Sequence, residues 1–112
     1  MQDLAPTIHR QRLVIEGYPK QTITSKNIKE YLSGLSRVIN MKRLNQPVTH
    51  RSDKFGWAGW IHWETSGAHF YAWEEPLFYS VDIYTCKAFD PIVAVNFTKK
   101  FFSSDHVEYK EF

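Results

Sequence analysis

Three short strand-like segments with very short links dominate the middle of the sequence and constrain the fold most. Residues 57–63, 69–73 and 78–86 are rich in aromatic and β-branched side chains. Turn residues separate them, namely Thr65-Ser66-Gly67 and Glu74-Glu75-Pro76. Links of this length join only antiparallel neighbours, because a parallel crossover needs a dozen or more residues. The sequence therefore predicts an antiparallel sheet with residues 57–63 and 69–73 as a hairpin.

The flanking segments add two helices and the remaining strands. Residues 12–18 form an apolar run that ends at Gly17 and Pro19, which indicates a strand. Ser25 is a candidate helix cap, and an apolar face with helical spacing follows: Ile28, Tyr31, Leu32, Leu35, Val38 and Ile39. Asp90-Pro91 begins a second helix with Val93, Ala94, Phe97 and Phe101 on its apolar side. We expect a short strand within 41–49 that ends at Pro47 and a final edge strand at 106–112, after a loose arm at 1–11.

This order of elements predicts an α+β fold: a two-layer sandwich of a mainly antiparallel sheet with two helices on one face. Strand alternation places Val81, Ile83 and Thr85 toward the helices. Ser80, Asp82, Tyr84 and Cys86 fall on the opposite, polar face, where we expect a site or a partner interface.

Composition limits the class of protein. A chain of 112 residues is expected to form one domain over residues 1–112. A single cysteine excludes an internal disulfide, and no apolar run approaches the 18 or so residues of a membrane span. Residues 1–6 lack a signal-peptide pattern, so we expect a cytoplasmic protein without a membrane partner. The net charge of +2 alone does not call for nucleic acid.

Candidate reactive residues are few. A lone cysteine in a strand is usually a small buried apolar residue, but Asp82 on the same face as Cys86 would favour the protonated thiol and suit a proton donor. His62 and His69 match no zinc spacing, so we expect no metal. Glu74 and Glu75 are adjacent and point apart on an extended chain. The alternating aromatic residues of 54–63 faintly echo RNA-binding strands, which makes a nucleic-acid-binding module a distant alternative.

One resemblance is specific. Gly59 to Cys86 followed by Asp90-Pro91 resembles the prokaryotic S-adenosylmethionine decarboxylase family, with Val81-Asp82-Ile83-Tyr84-Thr85-Cys86 as the closest segment. Trp73-Glu74-Glu75 resembles the family's Trp-Pro-Glu, and residues 12–18 resemble its first strand. The resemblance extends without gaps from Gly59 to Cys86 and covers nearly the whole chain.

The resemblance implies a chain that cuts itself before an internal serine and converts that serine to a pyruvoyl group. It implies decarboxylation of S-adenosylmethionine for spermidine biosynthesis, and a homodimer that helps to build the sites. Ser66 falls on the pyruvoyl serine, Cys86 on the catalytic cysteine and Glu75 on the acidic residue after the tryptophan. Phe55, Trp57 and Trp63 are candidates for stacking on adenine or for contact with the sulfonium.

The sequence departs from the family where self-cleavage is assisted. Thr65 occupies the position of the family's Glu, and Gly67 occupies the position of its His. Tyr71 occupies the position of the histidine that assists cleavage in the family, and Ala58 occupies that of a small hydroxyl residue. His69 and Tyr71 are candidates to substitute for the missing groups. Two interpretations follow: a self-processing decarboxylase, or a non-processing relative that binds S-adenosylmethionine or a similar ligand as a regulator or for other chemistry.

Overall fold

The computed structural model describes residues 1–112 and contains one six-stranded sheet and two helices. The elements are β1 (Gln11–Gly17), α1 (Ser25–Val38), β2 (Val48–Ser52), β3 (Gly56–Trp63), β4 (Ser66–Trp73), β5 (Phe78–Thr85), α2 (Pro91–Phe101) and β6 (Val107–Glu111). The strand order is β2-β3-β4-β5-β1-β6, and every neighbouring pair is antiparallel. The predicted α+β sandwich with two helices against the sheet is confirmed.

The core lies between the helices and one face of the sheet. Alternate residues of the central strands are fully buried there: Leu13, Ile15, Ala68, Phe70, Val81 and Ile83. The expected inward direction of Val81, Ile83 and Thr85 is therefore confirmed. Each large apolar side chain buried in this way stabilises the fold by about 1.5–3 kcal/mol before its loss of entropy is counted. Helix α1 contributes Tyr31, whose hydroxyl group lies 2.7 Å from that of Thr98 in α2.

Helix α1 begins at Ser25, the residue predicted to be its cap, so the cap lies one residue earlier than predicted. Thr24 is the N-cap, and its side chain accepts a hydrogen bond from the Asn27 amide at 3.2 Å. The Asn27 side chain accepts one from the Thr24 amide in return, which completes a capping box. The predicted apolar face is buried except at Val38, which is exposed because it ends the helix. At Gly34 the lack of a side chain admits the Phe97 ring of α2.

Helix α2 begins as predicted, with Asp90 accepting a hydrogen bond from the Ile92 amide at 2.9 Å and Pro91 in the first turn. Its buried side differs from the prediction. Val93 is exposed, whereas Ala94, Val95 and Thr98 face the core. The first turn of α2 thus turns Val93 toward solvent.

The outer strands differ from the prediction mainly at β2. That strand follows Pro47 instead of ending there, and it pairs with β3 along the edge of the sheet. Residue Arg43, within the predicted strand, makes only an isolated bridge to Trp63. The predicted final edge strand is confirmed as β6, which pairs with β1. No helix covers the opposite face of the sheet, which carries the candidate site.

Candidate functional site

The candidate site begins at the turn between β3 and β4. Trp63 pairs with Ser66, so Glu64 and Thr65 form a two-residue turn. The prediction of a Thr65–Gly67 turn was wrong by one position, since Ser66 already opens the strand. Ser66 has a φ of +137°. L-residues rarely adopt such a value, and backbone strain of order 1–3 kcal/mol is typical of it.

The residue after the strained serine has no room for a side chain. A Cβ on Gly67 would lie 2.4 Å from the carbonyl oxygen of Ile61 in the adjacent strand. This close approach explains why glycine stands where the family resemblance expects histidine. It also keeps the outer face of the sheet open directly beside Ser66.

The structure brings Ser66 and Cys86 together. Ser66 pairs with Thr85 across β4 and β5, and Cys86 is the next residue. The backbone amide of Cys86 donates a hydrogen bond of 2.9 Å to the carbonyl oxygen of Thr65. That carbonyl belongs to the peptide bond that precedes Ser66, so a donor is already aimed at the group that a Ser66 hydroxyl would attack. The Cys86 side chain is exposed.

A shallow groove of about 510 Å³ lies on the outer face beside Ser66. Its walls are formed by Arg12, His62, Ser66, Gly67, His69, Asp82 and Tyr84. The groove walls include both signs of charge, from Arg12 and Asp82.

An ion pair spans the floor of this groove. Arg12 donates from Nε and Nη2 to the two carboxylate oxygens of Asp82, at 3.0 and 2.8 Å. The hydrogen bond and the negative charge of Asp82 raise the pKa of Arg12. The sequence led us to expect Asp82 to act on Cys86, but the carboxylate is bound to Arg12 instead.

The other two predicted catalytic residues lie farther along the same face. The Tyr71 hydroxyl is 3.3 Å from Nδ1 of His69, and the tyrosine side chain is 41% exposed. At about 3.3 Å per strand residue, Tyr71 lies roughly 16 Å from Ser66 and His69 roughly 10 Å from it. Tyr71 is too far to reach Ser66 within one chain, whereas His69 lines the same groove as Ser66 but has its hydrogen-bond contact with Tyr71. Tyr71 does pair directly with Ala58, so two of the four positions where the family's cleavage helpers are replaced are neighbours.

The predicted ligand-binding residues Glu75 and Phe55 occupy turns at the opposite end of the sheet from Ser66. Phe55 is 53% exposed, and its carbonyl oxygen accepts a hydrogen bond of 3.0 Å from the Glu74 amide, which ties the two turns together. Glu75 is exposed beside this contact. The Phe55 ring and the Glu75 carboxylate are therefore both accessible, but not to the Ser66 of the same chain.

The two tryptophans predicted to bind ligand lie on the helix side of the sheet. Trp63 is only 2% exposed, and its indole N–H donates a 2.7 Å hydrogen bond to the Ser36 hydroxyl of α1. Its prediction as a stacking residue was wrong, because the ring is part of the core. Trp57 is half-buried on the same side and packs against the core under Arg51. Trp60, between them, lies on the outer face beside His62.

No group of three or more His, Cys, Asp or Glu side chains is arranged to hold a metal ion. Neither helix is long and apolar enough to cross a lipid bilayer.

Comparison with known proteins identifies the family of the chain. A sequence model described as S-adenosylmethionine decarboxylase matches residues 13–112. The chain belongs to the S-adenosylmethionine decarboxylase family. A search of curated individual proteins finds no match. Among solved structures, the adenosylmethionine decarboxylase from Aquifex aeolicus VF5 is similar, with a TM-score of 0.77 at 17% identity. The similarity covers 94% of this chain and 89% of that one, and at this identity it supports the fold alone.

In this member of the S-adenosylmethionine decarboxylase family, sequence reasoning missed much of the groove wall. Arg12 and Tyr84 were not among the predicted site residues, although strand alternation places both on the outer face. Arg12 precedes the buried Leu13, and Tyr84 follows the buried Ile83. The alternation was a usable signal. Alternation alone does not show that Arg12 pairs with Tyr84, because that pairing depends on the register between β1 and β5.

Proposed function

We propose that this chain is a pyruvoyl-dependent decarboxylase of S-adenosylmethionine that generates its own prosthetic group from Ser66. The observation that carries the proposal is the peptide bond before Ser66. Its carbonyl oxygen accepts the Cys86 amide hydrogen at 2.9 Å, and Ser66 has a φ of +137°. Strain at the serine and a donor on the preceding carbonyl both favour attack on that bond.

Cleavage requires two covalent steps. In the first, Ser66 Oγ forms a bond to the Thr65 carbonyl carbon, the C–N bond breaks, and the hydroxyl proton passes to the released nitrogen. Negative charge on the carbonyl oxygen during this step is stabilised by the Cys86 amide. In the second step, a base removes the Ser66 α-proton and the bond between Ser66 Oγ and Cβ breaks. Residues 1–65 then end in a carboxylate. At residue 66, water displaces the α-nitrogen, which leaves as ammonia, and the pyruvoyl group remains.

The surroundings of Ser66 fit such a group. Residue 66 would carry it at the start of β4, where the outer face is open because Gly67 has no side chain. When present, a pyruvoyl carbonyl serves as an electron sink for the loss of CO2 from an amino acid. Cys86 is exposed and lies one residue beyond the partner of Ser66, which supports a role in holding the proton that replaces the carboxylate.

The base for the second step is proposed to come from another copy of the chain. Tyr71 lies too far from the Ser66 of its own chain, at roughly 16 Å. His69 lines the groove with Ser66, but its ring contacts the Tyr71 hydroxyl and not Ser66. An antiparallel second copy against the uncovered sheet face would place one chain's His69, Tyr71, Phe55 and Glu75 toward the other's Ser66 and Cys86. We therefore infer a homodimer, in which Phe55 stacks on adenine and Glu75 binds the ribose hydroxyls or the sulfonium.

The same proposal gives the chain a role in spermidine biosynthesis, in the cytoplasm. Subunit mixing tests the arrangement. A Ser66→Ala chain cannot be cut but still carries Tyr71, whereas a Tyr71→Phe chain still carries Ser66. If the base is shared, refolding the two together restores cleavage of the Tyr71→Phe chain. Cleavage that stays at the level of the Tyr71→Phe chain alone contradicts a shared site.

Intact-mass measurement tests self-processing directly. The proposal expects fragments of residues 1–65 and 66–112, with the second beginning in a pyruvoyl group. Ser66→Ala should stay full-length and lose CO2 release from S-adenosylmethionine. Ser33→Ala, a change of the same kind on α1 and away from the groove, should be cut like the unmodified chain. A purified chain that remains full-length contradicts the pyruvoyl mechanism.

A second candidate function is a non-processing relative that binds S-adenosylmethionine or a similar ligand as a regulator or for other chemistry. Its supporting observation is that the positions of the family's cleavage helpers are Thr65, Gly67, Tyr71 and Ala58. It expects a full-length chain that binds S-adenosylmethionine in calorimetry, with binding largely intact in Ser66→Ala. A chain that neither cleaves nor binds the ligand would instead favour the aromatic sheet face as a nucleic-acid-binding surface.

A further inference from the structure

A fully buried hydroxyl group lies behind the peptide bond that is proposed to be cut. Thr85 is the last residue of β5 and has no solvent exposure. Its Oγ1 donates a 3.1 Å hydrogen bond to Oγ1 of Thr65 and accepts one of 3.0 Å from the Lys87 amide. The Thr65 hydroxyl can in turn donate to the sulfur of Met41 at 3.5 Å. The sulfur of Met41 also lies 3.8 Å from Thr85 Oγ1, so the Thr65 and Thr85 hydroxyl groups and this sulfur form one cluster.

Two neighbouring residues therefore hold Thr65 from two sides. Cys86 binds its carbonyl oxygen through the backbone amide, and Thr85 binds its side chain. A side-chain anchor and a carbonyl anchor together define the plane of the Thr65–Ser66 peptide. Without the side-chain anchor, the two-residue turn could rotate about the Cys86 hydrogen bond, and the strained φ of Ser66 would relax.

We propose that Thr85 is a positioning residue for self-cleavage, and that it acts through the Thr65 side chain. The inference rests on the proposed function of Ser66. Thr85 does not touch the reacting atoms. It fixes the orientation of the Thr65 carbonyl group. In that one orientation the carbonyl carbon faces Ser66 Oγ while the carbonyl oxygen accepts the hydrogen bond from Cys86. Misplacement of about 1 Å at a reacting centre is enough to slow a reaction by about a hundredfold.

The test compares cleavage rates of Thr85→Val, Thr65→Val and the double variant by intact mass after refolding. Each single change is expected to slow cleavage by roughly tenfold or more, and the double variant by little beyond either single change, because both remove the same hydrogen bond. Thr85→Ser keeps the hydroxyl group and should restore the rate to within a few-fold.

Thr98→Val is the matched control for loss of a buried threonine hydroxyl. Thr98 is equally buried and bonds Tyr31 and the Ala94 carbonyl, far from the turn. It should lower the unfolding temperature like Thr85→Val but leave the cleavage rate unchanged. Equal rates in Thr85→Val and the unmodified chain, or equal slowing in Thr98→Val, overturn this inference alone. An unmodified chain that is never cut overturns the proposed function together with it.

Discussion

Restoring the family's histidine at position 67 should damage this protein instead of improving it. The ideal Cβ position lies 2.4 Å from the Ile61 carbonyl oxygen, whereas real Cβ contacts essentially never fall below 3.0 Å. Strands β3 and β4 would have to separate by more than half an ångström next to the turn. This movement weakens one or two ladder hydrogen bonds of about 1 kcal/mol each and adds about 1–3 kcal/mol of overpacking strain.

The resulting loss for Gly67→Ala is about 2–5 kcal/mol, and Gly67→His should lose at least as much. At about 4 °C for each kcal/mol in a chain of this size, the midpoint of thermal unfolding falls by roughly 8–20 °C. Circular dichroism on heating measures the midpoint, and intact mass measures cleavage in the same samples. We expect both variants to be cut more slowly than the unmodified chain.

Ala58→Ser is the matched control, because it also restores a family residue but on the half-exposed outer face of β3. It should leave the unfolding temperature within about 2 °C of the original, as is usual for surface changes. If Gly67→His unfolds at the original temperature and is cut faster, the steric reasoning about this turn is wrong.

Three further changes test other parts of the structure. Cys86→Ser should be cut normally, because cleavage uses the backbone amide, but should release CO2 about 10²–10⁴ times more slowly; equal loss of cleavage contradicts the proton-donor role. Trp63→Phe leaves the Ser36 hydroxyl without the indole donor and should cost about 1–3 kcal/mol in urea unfolding; weaker S-adenosylmethionine binding at unchanged stability would return Trp63 to the ligand site. Burial raises the pKa of Tyr31 above its ordinary 10.0. The folded state therefore keeps that proton longer than the unfolded state, so stability falls as pH rises above about 10. Tyr31→Phe should flatten this fall, and the exposed Tyr109→Phe should not.

The sheet and both helices could be predicted because apolar periodicity reports burial directly. Val81 and Ile83 alternate with polar residues in a strand that is covered on one side, and Ile28 and Leu32 recur at helical spacing. Strand β2 lacks such a signal. It lies at the edge of the sheet and ends in exposed polar residues, so its sequence resembles a loop.

The site could be predicted only where a motif fixed it. Ser66 and Cys86 were placed by resemblance, and their proximity needed the register that pairs Ser66 with Thr85. The stacking role given to Trp63 was wrong for a different reason, and Trp57 lies on the same helix side of the sheet. Both residues are an even number of positions from the buried Ile61 in β3, so they lie on the same face of the sheet as Ile61. Choosing ligand residues because they are aromatic ignores which face of the sheet they occupy. The strain at Ser66 has no counterpart in the sequence, since serine is ordinary in turns.

The strand order has a consequence for the fate of a cut chain. Residues 1–65 supply β1, β2 and β3, whereas residues 66–112 supply β4, β5 and β6. In the sheet, β4 and β5 lie between β3 and β1, and β1 lies between β5 and β6. The two pieces are interleaved, so they cannot part without dismantling the sheet. Scission would thus yield one durable two-chain particle, assembled by folding that must come before the cut.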